Sequence, residues 1–292
     1  MVKKILAKSY IYLILLLMYL PILVLIAFSF SADETIASAA RVGYNPSFVL
    51  WQNLFDFKGK TISMEIWTAT GNTLLIALIS AVVATVLGTL GAIGAFYSKK
   101  RTQKGIEMTT QIPVSNPEIV IALSLVVLFV LLGNFVFKKN LFSFWTLLIG
   151  HVILGLPFVY LSVKPKLQQM DSSLYEAALD LGATPSRALT KVILPEILPG
   201  IVSGFLLSVT LSLDDFIVTA FTRGAGLLSG EKTIETLSTL IQSKLKKGPI
   251  PPEMRPMTLI IFVVVLAIAI GVTLHQNKNK NKEKIRKGRA NA

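Results

Sequence analysis

Residues 10–30 read YIYLILLLMYLPILVLIAFSF, and no residue between Lys8 and Asp33 carries a charge. A helix of that length crosses the ~30 Å hydrocarbon core of a bilayer. The run exceeds the ~7–15 residues of a signal-peptide core and no A-x-A site follows it, so Lys3, Lys4 and Lys8 read as the flank of an uncleaved anchor. Working outward, further uncharged runs cover Ile66 to Ser98, Ile119 to Phe137, Asn140 to Val163 and Pro256 to Asn277, and the stretch Ile197 to Phe221 is interrupted only by Asp214 and Asp215. The expected fold is all-α: a polytopic membrane protein with six transmembrane helices over residues 1–277, followed by a basic tail, 278–292, expected to be disordered.

Composition agrees. With 53% hydrophobic and 15% charged residues in 292, the chain holds more apolar surface than one soluble core hides. A formal charge of +13 belongs, in such a chain, to cytoplasmic loops and contacts with the lipid bilayer, so nucleic acid is not an expected partner. Six crossings place both termini on one side. That side carries 18 of the 29 Lys and Arg: the N-terminal flank, Lys99 to Lys104, a loop with Lys164, Lys166, Arg187 and Lys191, and the tail Lys278 to Arg289. The opposite side carries 11 over longer loops, so the termini are expected in the cytoplasm.

Two features read as packing. Ser80, Ala84, Gly88 and Ala92, with Gly91 and Gly94 alongside, form a small-residue stripe that lets helices approach closely. Ile234, Leu237, Leu240, Ile241 and Leu245 recur at helical spacing up to Gly248-Pro249, which reads as an interfacial helix or a surface for an external partner.

The loop between the fourth and fifth runs spells two short helices with their own caps. Ser173 and Glu176 have capping-box spacing, and Gly182 sits where a left-handed residue ends a helix. Thr184 and Pro185 supply an N-cap and first-turn proline for a second helix, which Pro195 is expected to stop. The string Glu176-Ala177-Ala178, three residues, Gly182, nine residues, Val192-Ile193-Leu194-Pro195 resembles the E-A-A-x3-G-x9-I-x-L-P loop of ABC importer permeases, departing only at Val192, where isoleucine is usual. The resemblance implies a type I ABC importer permease fold, with Glu176, Ala177, Ala178, Gly182, Leu194 and Pro195 in a coupling loop (164–196) that docks on a cytoplasmic ATPase. It further implies a second homologous permease subunit, two copies of that ATPase, which bind ATP and Mg, and an extracytoplasmic substrate-binding protein. Ser212-Leu213-Asp214-Asp215-Phe216, Pro252-Glu253-Met254 and Thr258-Leu259-Ile260 resemble spermidine/putrescine permeases, which implies a polyamine-binding protein as that partner.

A carboxylate inside a span costs several kcal/mol unless it faces protein or water. If the fifth span enters near Pro199, Asp214 lies about 23 Å along it, towards the outer face. Neighbours on a helix point ~100° apart, so one of Asp214 and Asp215 is expected to line a substrate path and the other to be paired structurally, with Phe216 or Phe221 placed for cation–π contact with an ammonium group. Both could instead serve as a buried ion pair or packing hydrogen bond.

Other chemistry finds no support. The chain has no Cys, hence no disulfide, thiolate nucleophile or Cys-bound metal. No phosphate-binding G-x-x-x-x-G-K-[ST] loop occurs; Gly226 to Thr233 comes nearest but has Glu231 at the second glycine position. His151, one of two histidines beside His275, reads as a hydrogen-bonded packing residue, and Arg223 as an interface anchor. No enzyme activity and no cofactor are expected in this chain. Importers of ferric iron or phosphonate share all but the aspartate argument; a freestanding channel or carrier would need no coupling loop.

Overall fold

The computed structural model describes residues 2–32, 44–57, 61–171, 173–224 and 233–290; the side chains of 2–9, 61, 273 and 275–290 lie outside that description, as do most of the stretch from Gly226 to Thr233 and the side chains of His275 and the tail. The elements are α1 (Val2–Ser29), α2 (Val49–Phe55), α3 (Thr61–Phe96), α4 (Lys100–Ser115) and α5 (Glu118–Leu131), which runs into a π turn at Leu132–Phe137. Next come α6 (Phe144–Gln169), α7 (Ser173–Asp180), α8 (Pro185–Ala188), which continues through a π segment, Leu189–Ile193, into α9 (Leu194–Asp214), then α10 (Ile217–Thr222), α11 (Leu237–Lys247) and α12 (Met254–Ala290). Six helical stretches among the described residues are long and apolar enough to cross a bilayer: Tyr10–Ser29, Ile62–Phe96, Glu118–Phe137, Phe144–Gln169, Pro185–Asp214 and Met254–Val272.

The chain divides into two compact units, Met1–Thr68 with Ile241–Ala292, and Ala69–Leu240. In the first, α12 packs on α1 and α2. Trp67 donates its indole N–H to the Leu54 carbonyl at 3.0 Å and Ser63 donates to Asn53 at 2.7 Å, fastening the start of α3 to the end of α2.

The second unit is built on α6, which packs against α4, α9 and α10. The small-residue stripe does what its spacing predicts: Ala84 and Ala92 are buried, and a Cβ on Gly88 would stand 2.8 Å from the Val159 Cβ of α6, so only glycine permits that approach. The other face of α3 carries Leu78, Val82, Val86 and Leu90, all exposed at four-residue spacing, a surface suited to lipid. Val159, Val163 and Leu167 of α6 bury against Ile193 and Ile197 around the start of α9, in one core cluster.

Four features differ from the sequence reading. Pro195 does not stop the helix. The chain stays helical from Pro185 to Asp214, because the Leu189–Ile193 segment widens to π hydrogen bonding, with Leu194 N–H donating to the Leu189 carbonyl, and so makes room for a proline without an N–H. Second, α4 is not a plain cytoplasmic loop but runs antiparallel along α6: Lys164 pairs with Glu107 at 2.9 Å, and Ile112, Pro113 and Asn116 share a cleft with Val120 and Ile153. Its Thr109 and Thr110 donate to carbonyls one turn back, which removes polarity that read as loop. Third, the basic tail continues α12 to Ala290 rather than leaving the helix at Asn277, since elongating an existing helix through a run rich in Lys and Arg is far easier than starting one, even with Asn279, Asn281 and Gly288 in it. Fourth, Ile234, Leu237 and Leu240 are buried within their own unit, and Leu237 N–H donates to Thr73 Oγ1 at 2.8 Å, so this part of the amphipathic stretch covers the chain's own spans rather than an interface.

Candidate substrate gate and coupling loop

Asp171, not Ser173, caps α7: its Oδ1 accepts from the Ser173 N–H at 3.0 Å and hydroxyl at 2.8 Å. An ionised acceptor two residues upstream outcompetes the hydroxyl in the capping box expected of Ser173 and Glu176. The same two bonds hold the Asp171 carboxyl below the usual carboxylate range. The helix ends as its glycine predicts. Gly182 has φ +84°, Ala183 N–H reaches the Ala178 carbonyl at 3.0 Å, and Gly182 N–H reaches that of Leu179 at 2.8 Å. On this helix Glu176 and Ala177 are exposed, Ala178 is half-buried, and none of its described residues is buried. Leu181 is 89% exposed beside them.

The loop is nonetheless fastened to the membrane spans. The Tyr175 ring lies 5.3 Å from that of Tyr97 at the end of α3. Ala188 and Ile193 are buried, Leu194 is half-buried and Pro195 exposed. The loop's second helix is thus continuous with the root of α9.

At the far end of that helix lie the two aspartates. Helical geometry stops at Asp214 and resumes at Ile217, with Asp215 extended at ψ 124°. Asp215 is buried at 5% exposure and caps α10: Val218 N–H donates to its Oδ1 at 3.1 Å, while Thr219 donates its N–H at 2.8 Å and its hydroxyl at 2.9 Å to Oδ2. Ser238 Oγ donates to the Asp215 carbonyl at 2.8 Å, satisfying a group that the break frees. Asp214 is exposed, and Phe216 is half-buried. One carboxylate is thus spent on holding the break and its neighbour is left outside.

Two further residues stand near the break: Glu118, which the sequence reading passed over, and His151, which it read as a hydrogen-bonded packing residue. Glu118, exposed at the start of α5, lies within electrostatic reach of Asp215 and Asp214. Although it opens the span Glu118–Phe137, it stands beside the middle of α6, because Asn116 and Val120 on either side of it share the cleft with Ile153. Its only sequence signal was an acid directly after Pro117 at the head of an uncharged run. His151 is buried at 2% exposure, with both ring nitrogens hydrogen-bonded in the same neighbourhood. Among the described residues no group of three or more His, Cys, Asp or Glu has the arrangement of a metal site.

This architecture is shared. The profile of a family described as "Binding-protein-dependent transport system inner membrane component" matches residues 84–280, a stretch holding the loop 164–196, α6, α9 and the break. This chain belongs to that family. As an inner membrane component it is the non-enzymatic partner, ATP hydrolysis lying in a separate subunit, and the family works with a partner permease, an ATPase and a substrate-binding protein.

Individual relatives agree. The chain is 34% identical over 192 residues to the spermidine/putrescine transport system permease protein PotC of Haemophilus influenzae, covering 66% of this chain and 69% of that protein. It is 32% identical over 229 residues to PotC of Escherichia coli, covering 77% and 79%. The putrescine transport system permease protein PotI of Escherichia coli is 32% identical over 168 residues, 56% of each chain. In fold, the inner membrane component resembles a chain of a bacterial ABC transporter involved in alginate import, with a TM-score of 0.65 at 17% identity over 94% of this chain and 96% of that one. It also resembles a chain of the MetNI methionine transporter, TM-score 0.59 at 17% identity over 73% and 96%.

Proposed function

We propose that this chain is one of two permease subunits of a polyamine importer, moving spermidine or putrescine across the cytoplasmic membrane while a separate ATPase hydrolyses ATP with Mg. The observation that carries this reading is an exposed carboxylate, Asp214, at a break in a membrane-spanning helix, in a chain similar to curated polyamine permeases. An ammonium group leaving water loses hydration, and a fixed carboxylate in a passage of lower dielectric replaces part of it. Glu118, in electrostatic reach, gives a diamine or triamine a second point of attachment. Phe216, two residues on from Asp214 and half-buried, offers a ring for cation–π contact.

In this reading the exposed side of α7, from Glu176 to Leu181, seats in the ATPase, one copy of which serves each permease, and the termini are cytoplasmic. An extracytoplasmic polyamine-binding protein delivers substrate to the far side. Closure of the ATPase pair moves the loop, and the loop moves α9. The two ends of that helix carry the two functions. The test is reconstitution of the purified assembly in liposomes with the binding protein. Putrescine or spermidine, each at saturation, should stimulate ATP hydrolysis severalfold, and ferric iron or phosphonate should not. Stimulation by the latter alone would assign the assembly to another solute, and uptake without any ATPase subunit would make the chain a carrier.

A further inference from the structure

The buried hydroxyls and the one described imidazole around the break form a chain with a direction. Asp215 accepts at both oxygens, from two backbone N–H groups and from Thr219, as a carboxylate does. Thr219 has a single hydroxyl proton and spends it on Asp215, so at its 2.9 Å contact with His151 Nε2 it must accept. Nε2 therefore carries a proton, and in the neutral imidazole Nδ1 is bare and accepts from Ser212 Oγ at 2.7 Å. Ser212 Oγ remains able to accept from Ser80 Oγ of α3, 3.3 Å away. Nε2 also stands 3.6 Å from Asp215 Oδ2. Ser212 lies in the last turn of α9 and Thr219 in the first turn of α10, so one ring on α6 grips the helix on both sides of its interruption.

We propose that His151 is a positioning residue for transport: by clasping Ser212 and Thr219 it fixes the angle of the break and so sets where the Asp214 carboxylate is presented to a cationic substrate. This rests on the reading of Asp214 as part of the substrate path. His151 touches no substrate. Its effect is on affinity, delivered through a neighbour.

The experiment measures putrescine uptake by the full assembly in proteoliposomes, normalised to assembled complex, for wild type, Asp214→Asn, His151→Phe and the double variant. His151→Phe keeps a flat aromatic ring and removes both bonds; KM should rise about tenfold while Vmax changes by less than about twofold, the loss expected of two hydrogen bonds. The two substitutions should not add, since both act on the same carboxylate. His151→Gln keeps a donor near Nε2 for Thr219, and His151→Asn keeps an acceptor near Nδ1 for Ser212. Each should raise KM less than the phenylalanine variant, and they carry the test if that variant fails to assemble. A merely structural role would lower assembly or Vmax and leave KM alone, and that result overturns the proposal, as does full additivity with Asp214→Asn. An unchanged KM in Asp214→Asn itself would instead remove the aspartate from the path, a separate failure that this set of variants tells apart.

Discussion

Asp214 and Asp215 are chemically identical neighbours with opposite surroundings. Asp215 is closed in by three donors and Asp214 is open. Asparagine at 214 should therefore raise the KM for polyamine about tenfold with assembly unaffected, whereas asparagine at 215, which weakens charge-assisted bonds to a buried cap, should lower thermal stability of the assembled complex by about 1–3 kcal/mol. Uptake kinetics and a melting curve on the same preparations distinguish the two, and equal behaviour of both variants would count against the division. The pair itself was legible in the sequence, as two acids inside an apolar run that only protein or water could accommodate. Which acid does what was not legible. The donors that claim Asp215 lie three and four residues on, across an extended residue that no propensity announces, and the imidazole behind them is 64 positions upstream.

Among the helices, the ends of the two short helices in the loop 164–196 were largely read from their punctuation. Gly182 ends α7 in the left-handed region, as its position foretold, and Pro185 begins α8. Two details escaped. Asp171 took the cap from Ser173, a competition between acceptors decided by charge. Pro195 proved a register device rather than a stop, because a π segment absorbs what an α-helix cannot. Pro195→Ala restores an N–H and lets the segment relax towards α geometry, which would turn α7 and α8 by up to one residue's rotation, about 100°, relative to α9. The expected outcome is ATP hydrolysis largely retained with uptake reduced severalfold, read as the number of substrate molecules moved per ATP. Glu176→Lys should give the same uncoupling by reversing charge on the exposed face, and retained coupling in both would place the docking surface elsewhere.

Across the six spans, hydrophobic runs located every crossing, and small-residue spacing located the close approach of α3 to α6. What the runs could not show was α4. Its sixteen residues look polar in sequence, yet its threonines satisfy themselves on their own backbone and its acid pairs with Lys164. Sidedness, argued from Lys and Arg counts, has a direct check. The chain has no Cys, so a single one introduced at Lys139 or at Lys100 can be probed with a membrane-impermeant maleimide on intact spheroplasts. Position 139 should label and position 100 should not; the reverse pattern would turn the molecule over in the bilayer. With that direction fixed, the unbroken run from Pro185 to Asp214, about 45 Å of helix, acquires a mechanical meaning. A rod of that length bends little, so a nudge at its foot arrives at its tip as tilt, and the first place with any give is the joint beside the exposed acid. Grip on the cargo and the stroke of the motor would then be two readings of the same hinge.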